Sequence, residues 1–222
     1  MEITWYGHSC FRLTERSLAT VVTDPYDHHQ VGYEPLKLKG DIVTVSHNTP
    51  GHNFISAVKG DPHLIDGPGE FEIGGVFVTG IQTNGHTKKD INELRNTLYL
   101  FDFNGINVLH LGDLNRVPTQ IEVEDFGPVH VALVPVGAGS SLTAIKATEV
   151  ISLLEPNIVI PMHYATSATG ETAVKLDPLS KFLKEMGLST VETLPSIKIP
   201  NVNTLPDETK VIVLDYQKNN GS

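Results

Sequence analysis

Cysteine is almost absent from this chain of 222 residues, which contains only Cys10. A single cysteine cannot form an intramolecular disulfide, and it cannot supply the group of thiolates that holds many structural zinc ions. Any metal site must therefore be built from histidine, aspartate and glutamate. The sequence contains ten histidines that could contribute to such a site.

Long apolar segments are also missing, since no run approaches the roughly 20 residues that a membrane helix requires. The amino terminus, MEITWYGHSC, has an acidic second residue and no basic segment followed by an apolar one. This pattern argues against a secretory signal. We therefore expect a cytoplasmic protein that has no membrane partner.

Positive charge is scarce, because 16 lysines and arginines face 26 aspartates and glutamates, which gives a formal net charge of −10. Such a charge repels phosphate backbones at long range. Nucleic acid is therefore disfavoured as a partner, and a small-molecule substrate or ligand is expected. The sequence leaves the oligomeric state unknown.

Short strands are predicted along the first two thirds of the chain. The segments EITWY, SLATVVTD and DIVTVS alternate or run apolar as strands do, and the third leads to His47. Two hairpins are indicated by their turns, one at Gly74-Gly75 within EFEIGGVFVTGI and one at Asn104-Gly105 between TLYLFDF and INVLHLGD.

The last third alternates strands with helices. The strands VHVALVPV and NIVIPMHY flank an amphipathic helix, LTAIKATEVISLLEP, and a second helix, DPLSKFLKEMG, precedes the strand KVIVLDY. Hairpins followed by this alternation suggest two packed sheets with helices outside. Because no linker-like segment interrupts the pattern, we predict one domain over residues 1–216 and a disordered tail at 217–222.

Several histidines lie at or near the ends of predicted strands, namely His47, His86, His110 and His163, and Asp113 in HLGD does so too. Strand ends at one rim of a sandwich can converge, so these side chains could form one site. An ion that activates water needs three or four nitrogen or oxygen ligands and an open position. For His110 the alternative is a hydrogen-bonded histidine in the core.

The motifs ITWYGHSCFRL, VVTDPYD, VSHNTPGHN, HLGD and IPMHY together resemble the metallo-β-lactamase superfamily, over about residues 1 to 190. The chain is most similar to a branch of small, uncharacterised hydrolases like the L-ascorbate-6-phosphate lactonase group. The resemblance implies an α+β fold, a four-layer αββα metallo-β-lactamase sandwich with its metal site on one edge.

The superfamily's signature, H-x-H-x-D-H, is degenerate in this chain. At its positions the sequence has His47 first and His52 last, but Thr49 replaces the second histidine and Gly51 replaces the aspartate. By the resemblance, each of the two ion sites has therefore lost one ligand. The first would keep His47, His86 and Asp113, and the second would keep His52, Asp113 and His163.

The resemblance also draws attention to His8 and Asp24. It places His8 of GHSCF close to the metal edge, either as a replacement ligand or in contact with substrate. The structural alternative is a histidine that caps the turn after Gly7. Asp24 of TDPYD is expected to support the histidine loop by hydrogen bonds from outside the ligand set. Asp113 and His8 are the candidate catalytic residues.

Two functions of different class are compatible with these features. One is a metal-dependent hydrolase of a small ester, lactone, amide or phosphodiester, with a reduced, mononuclear site. Its ion would be divalent, with zinc as the first choice and manganese or nickel as alternatives. The other is an inactive member of the fold that binds a ligand or partner and retains little metal. The joint retention of His47, His86, Asp113 and His163 favours the hydrolase.

Overall fold

The computed structural model describes residues 1–83, 95–169 and 175–217. Within them the strands are β1 (Glu2–Gly7), β2 (Cys10–Thr14), β3 (Val21–Thr23), β4 (Leu38–Lys39), β5 (Ile42–Thr44), β6 (Val58–Lys59), β7 (His63–Ile65), β8 (Gly69–Ile73), β9 (Val76–Gln82), β10 (Thr97–Phe103), β11 (Ile106–His110), β12 (Val131–Pro135), β13 (Ile158–Met162), β14 (Glu192–Leu194), β15 (Ile197–Lys198) and β16 (Lys210–Leu214). The helices are α1 (His28–Val31), α2 (Gln120–Phe126), α3 (Ala144–Leu154) and α4 (Leu179–Glu185), and 3-10 turns span Ile55–Ala57 and Val202–Thr204.

Two large sheets contain most of these strands. The first has the order β15-β1-β2-β3-β5-β7, and its strands β3, β5 and β7 run parallel. The second has the order β14-β16-β13-β12-β11-β10-β9-β8, with an antiparallel part from β8 to β11 and a parallel part from β11 to β14. Strands β4 and β6 form a separate pair. Each large sheet thus has parallel strands whose carboxyl ends can carry a site.

The alternation of side chains along the strands explains how the sheets pack. Val21 and Ile42 of the first sheet belong to the core that also contains the second sheet, whereas their neighbours Val22 and Val43 belong to a smaller cluster. Successive side chains of a strand point to opposite faces. The first sheet therefore buries both of its faces.

The predicted α+β sandwich is confirmed, with one difference in its outer layers. Helix α3 packs into the main core beside β12, and α4 packs against α3. The second face of the first sheet is covered, within the described ranges, by the short α1 and by loop residues such as Tyr26, Tyr33 and Leu36. The first outer layer is thus made of short elements and not of long helices.

Both predicted hairpins are confirmed, and their turns show why the sequence revealed them. Gly74 and Gly75 have φ angles of 54° and 78°, and Asn104 and Gly105 have 53° and 85°. Two consecutive positive φ angles define the turn that glycine and asparagine adopt most easily. The strand predicted to lead to His47 is shorter than expected, since β5 ends at Thr44 and His47 lies in the loop beyond it.

Gln217, the first residue of the predicted tail, is held by hydrogen bonds, and the rest of the tail stays a prediction. Gln217 donates its backbone N–H to the carbonyl of Trp5 at 2.9 Å and its side-chain amide to the carbonyl of Pro195 at 2.8 Å. Residues 218–222 lie outside the described ranges. Among the described helices the longest, α3, has 11 residues, and none is long and apolar enough to cross a membrane.

Candidate metal centre

Polar side chains from both sheets meet where strands end. They are His8 in the turn between β1 and β2, Asp24 after β3, His47 and His52 after β5, Asp113 after β11 and His163 after β13. The parallel strands bring four of these segments to the same rim. The described residues that the family motifs indicate therefore lie together at one rim, whereas the strand-end pattern also included His86 and His110.

Asp113 lies at the centre of a cluster of buried imidazoles. Its Oδ2 is 3.5 Å from His47 Nε2, and its Oδ1 is 3.4 Å from His163 Nε2 and 3.9 Å from His52 Nε2. All four residues are buried. We refer to His47, His52, Asp113 and His163 as the Asp113 cluster.

Asp24 fixes the orientation of His52 from behind. The Nδ1–H of His52 donates to Asp24 Oδ2 at 2.8 Å, which turns Nε2 toward Asp113. Asp24 also accepts the backbone N–H of Ser46 at 2.7 Å and the Ser46 hydroxyl at 2.6 Å. A carboxylate that holds the far nitrogen of an imidazole in this way is a common feature of metal-binding histidines.

Serine hydroxyls hold the other two imidazoles in the same tautomer. Ser46 Oγ already donates to Asp24, so at 3.1 Å from His47 Nδ1 it acts as the acceptor. Ser141 Oγ donates to a backbone carbonyl of its own loop and accepts from His163 Nδ1 at 3.1 Å. Both Nε2 atoms therefore carry a lone pair that faces the cluster.

The two oxygens of Asp113 are not equally satisfied by the described residues. Among the described residues Asp113 Oδ1 is a buried oxygen with no hydrogen-bond partner, although the Nε2 atoms of His52 and His163 lie nearby. A buried anionic oxygen that lacks a hydrogen-bond donor is costly unless a cation compensates it. Histidine nitrogen and carboxylate oxygen are zinc ligands. The residues present therefore fit a divalent metal ion.

The pKa shifts of the clustered histidines are compatible with metal binding. Burial lowers the pKa of His47 to about 4 and also lowers that of His163, so both imidazoles are neutral at pH 7. Burial opposes a charge on His52 as well, but the carboxylates of Asp24 and Asp113 outweigh it and raise the pKa of His52. A metal ion that binds His52 through Nε2 therefore competes with the proton that these two carboxylates favour.

Three of these residues have an unusual backbone conformation. The φ angles of His8, Asp24 and His163 are 52°, 41° and 54°, in the left-handed region that non-glycine residues seldom adopt. Such conformations cost free energy and persist where the surrounding structure enforces them, often at functional sites. They mark the turns that direct His8 and His163 toward the cluster and Asp24 toward the far nitrogen of His52.

The structure places the remaining candidates as follows. His8 is partly exposed, and its ring centroid lies 4.3 Å from that of His163 and 4.8 Å from that of His52. His110 is fully buried, and its Nε2 donates to the carbonyl of Ser9 at 2.9 Å, as the core alternative anticipated. His86 lies outside the described residues, so its role as a ligand stays a prediction.

Sequence reasoning missed the serines that support the cluster. Ser46 bridges Asp24 and His47, Ser141 holds His163, and Ser140 Oγ donates to Asp113 Oδ2. Ser46 directly precedes His47, but nothing in its type signals the contact. The two later serines belong to a Gly- and Ser-rich loop before α3, whose composition equally suits an ordinary turn into a helix.

Fold and cluster together define the class of the protein. The packed sheets and the histidine and aspartate site at their rim are those of a metallo-β-lactamase fold. The chain belongs to the family described as Beta-lactamase superfamily domain, whose model matches residues 2–163.

Individual proteins similar to this chain include metal-dependent hydrolases. A proposed Zn-dependent hydrolase of the metallo-β-lactamase superfamily from Thermotoga maritima is 35% identical, with a TM-score of 0.77 over 96% of this chain and 97% of that chain. A UPF0173 protein of Pyrococcus furiosus is 28% identical over 75% of this chain and 84% of its own length. A UPF0173 metal-dependent hydrolase of Thermococcus kodakarensis is 24% identical over 75% and 85%. These names support a divalent metal as the cofactor.

Proposed function

We propose that this chain is a metal-dependent hydrolase of a small-molecule ester, lactone, amide or phosphodiester, with a single ion at the Asp113 cluster. The observation that carries the proposal is Asp113 Oδ1, which has no hydrogen-bond partner among the described residues and lies 3.4 Å from His163 Nε2 and 3.9 Å from His52 Nε2. Zinc is the first choice because the donors are imidazole nitrogen and carboxylate oxygen, and manganese or nickel are the alternatives.

Some residues of the site would bind the ion directly, and others orient those ligands. A bound divalent ion would polarise a carbonyl or phosphoryl group and make water a better nucleophile at neutral pH. His52, Asp113 and His163 supply ligand atoms. Asp24 and Ser141 fix the rings of His52 and His163, so these ligands are oriented before the ion arrives.

A cavity beside the cluster supports a small, polar substrate. It has a volume of about 200 Å³ and is lined in part by His47, Asn48, Asn53, Asp66 and Arg95. The volume is smaller than that of a typical pocket for a drug-sized ligand, and both charged and amide groups face it. Together with the net charge of −10, this lining favours a small molecule over nucleic acid as the substrate.

The proposal predicts that the protein retains metal. Protein purified without a metal-affinity tag, then incubated with zinc, manganese or nickel and washed, should hold about one ion per chain by elemental analysis. A chelator should remove it and lower the melting temperature, because a ligand that binds only the folded state stabilises that state. Retention would justify screening lactones, esters, amides and phosphodiesters. A chain that retained none of the three metals would instead be a binding module on the same fold.

Asp24→Asn should weaken zinc binding without removing a ligand. The amide cannot accept all the hydrogen bonds that Asp24 receives from Ser46 and His52, so the His52 ring loses its fixed orientation. Loss of such an outer partner typically costs about 10- to 100-fold in metal affinity. Competition with a chromophoric chelator measures the change, and circular dichroism checks that the variant is folded. Unchanged affinity in a folded variant would contradict the orienting role of Asp24.

A further inference from the structure

His8 stands beside the part of the cluster that contains His52 and His163. One nitrogen from each of these three rings can be chosen so that all lie within 4.8 Å of one another. The carbonyl of His8 accepts the indole N–H of Trp5 at 3.1 Å and the backbone N–H of His163 at 3.0 Å. The backbone of one candidate ligand therefore holds the segment that presents His8.

Gly51 leaves open the space that the His8 ring uses. A Cβ atom at position 51 would lie 2.8 Å from His8 Nε2 and 3.3 Å from its Cδ2. Gly51 does not have a left-handed φ, so its backbone conformation is open to any residue. A larger residue at this position would therefore require the imidazole of His8 to shift.

The two oxygens of Asp113 have different surroundings. Oδ2 accepts the hydroxyl of Ser140, and the nearby His47 Nε2 accepts the hydroxyl of Thr49 at 3.0 Å. Oδ1 has no such donor among the described residues. Hydroxyl groups therefore satisfy the His47 side, while Oδ1, on the side that faces His52 and His163, lacks a partner among the described residues.

We propose that His8 is a direct ligand of the ion and holds it together with His52, His163 and Asp113 Oδ1. This inference rests on the proposed function, since it requires that the cluster binds metal. Four ligands at zinc-binding distances in a tetrahedron lie roughly 3.4 Å from one another. Asp113 Oδ1 is 3.4 Å from His163 Nε2 and 3.9 Å from His52 Nε2. His8 is the partly exposed member of the four and marks the side open to solvent.

Two variants test this ligand set in different ways. His8→Asn removes the imidazole but keeps a residue that tolerates a positive φ. Gly51→Ala removes no donor and only places a methyl group against His8 Nε2. We expect His8→Asn to weaken zinc binding by at least roughly 10- to 100-fold, since the loss of a residue that only supports a ligand already costs that much. Gly51→Ala should also weaken zinc binding. The variants should also change the visible absorption of the cobalt-substituted protein, which reports the ligands of the ion.

The matched control is His63→Ala, because His63 is an exposed histidine away from the cluster. It should bind zinc and cobalt as the wild-type chain does. If the wild-type chain binds neither metal, the proposed function and the ligand set both fail. If the wild-type chain binds and His8→Asn keeps its affinity and cobalt spectrum, the role of His8 alone is overturned.

Discussion

Asp113→Asn is expected to lower zinc affinity by more than about 100-fold, the upper end of what the loss of an outer partner costs. Asp113 supplies the carboxylate at the centre of the cluster, with one oxygen toward His47 and the other toward His52 and His163. Asparagine has the same shape but no charge, and a neutral amide is a poor partner for a divalent ion. Hydrolytic turnover should fall with the bound metal.

Thermal unfolding separates this effect from simple destabilisation. Zinc at 100 times its dissociation constant should stabilise the wild-type chain by about 2.7 kcal/mol, whereas the same zinc concentration should leave Asp113→Asn nearly unshifted. Asp207→Asn is the matched control, because Asp207 is an exposed carboxylate outside the cluster. A zinc-dependent shift of wild-type size in Asp113→Asn would remove Asp113 from the ligand set.

Local features of the fold could be predicted because local chemistry determines them. The turn at Asn104-Gly105 needs two positive φ angles, and these residue types adopt them readily. Helix α3 has a threonine cap at Thr143 and apolar positions at helical spacing, and both features can be read from the amino-acid sequence. The superfamily resemblance supplied the arrangement of these elements, which periodicity alone does not give.

The site was only partly predictable, because its geometry depends on contacts between distant segments. The motifs pointed to His47, His52 and His163. That one oxygen of Asp113 has no donor in the described part of the chain becomes visible only in three dimensions. Gly51 illustrates the difference. Beside Pro50 in the sequence it suggests a turn, whereas in the structure it gives room to the ring of His8 from the turn between β1 and β2.

Backbone packing between two loops holds His163 in place, and Gly137→Ala should show how much depends on it. Gly137 lies just after β12, and a Cβ atom there would overlap the carbonyl oxygen of His163 and lie 2.8 Å from Tyr164 Cα. Backbone atoms cannot move aside as a flexible side chain can. Overpacking typically costs about 1–3 kcal/mol, and we expect the upper end, about 3 kcal/mol, in the free energy of unfolding.

The same substitution should weaken zinc binding, because the loop that must shift carries His163. Urea unfolding with and without zinc measures both effects, and the zinc-dependent gain in stability should be smaller in Gly137→Ala than in the wild-type chain. Gly67→Ala is the matched control, since Gly67 also lacks a left-handed φ and its nearest atom, Arg95 Nη1, would be 3.8 Å away. If Gly137→Ala matched Gly67→Ala in stability and zinc response, the close approach of the β12 and β13 loops would not be what positions His163.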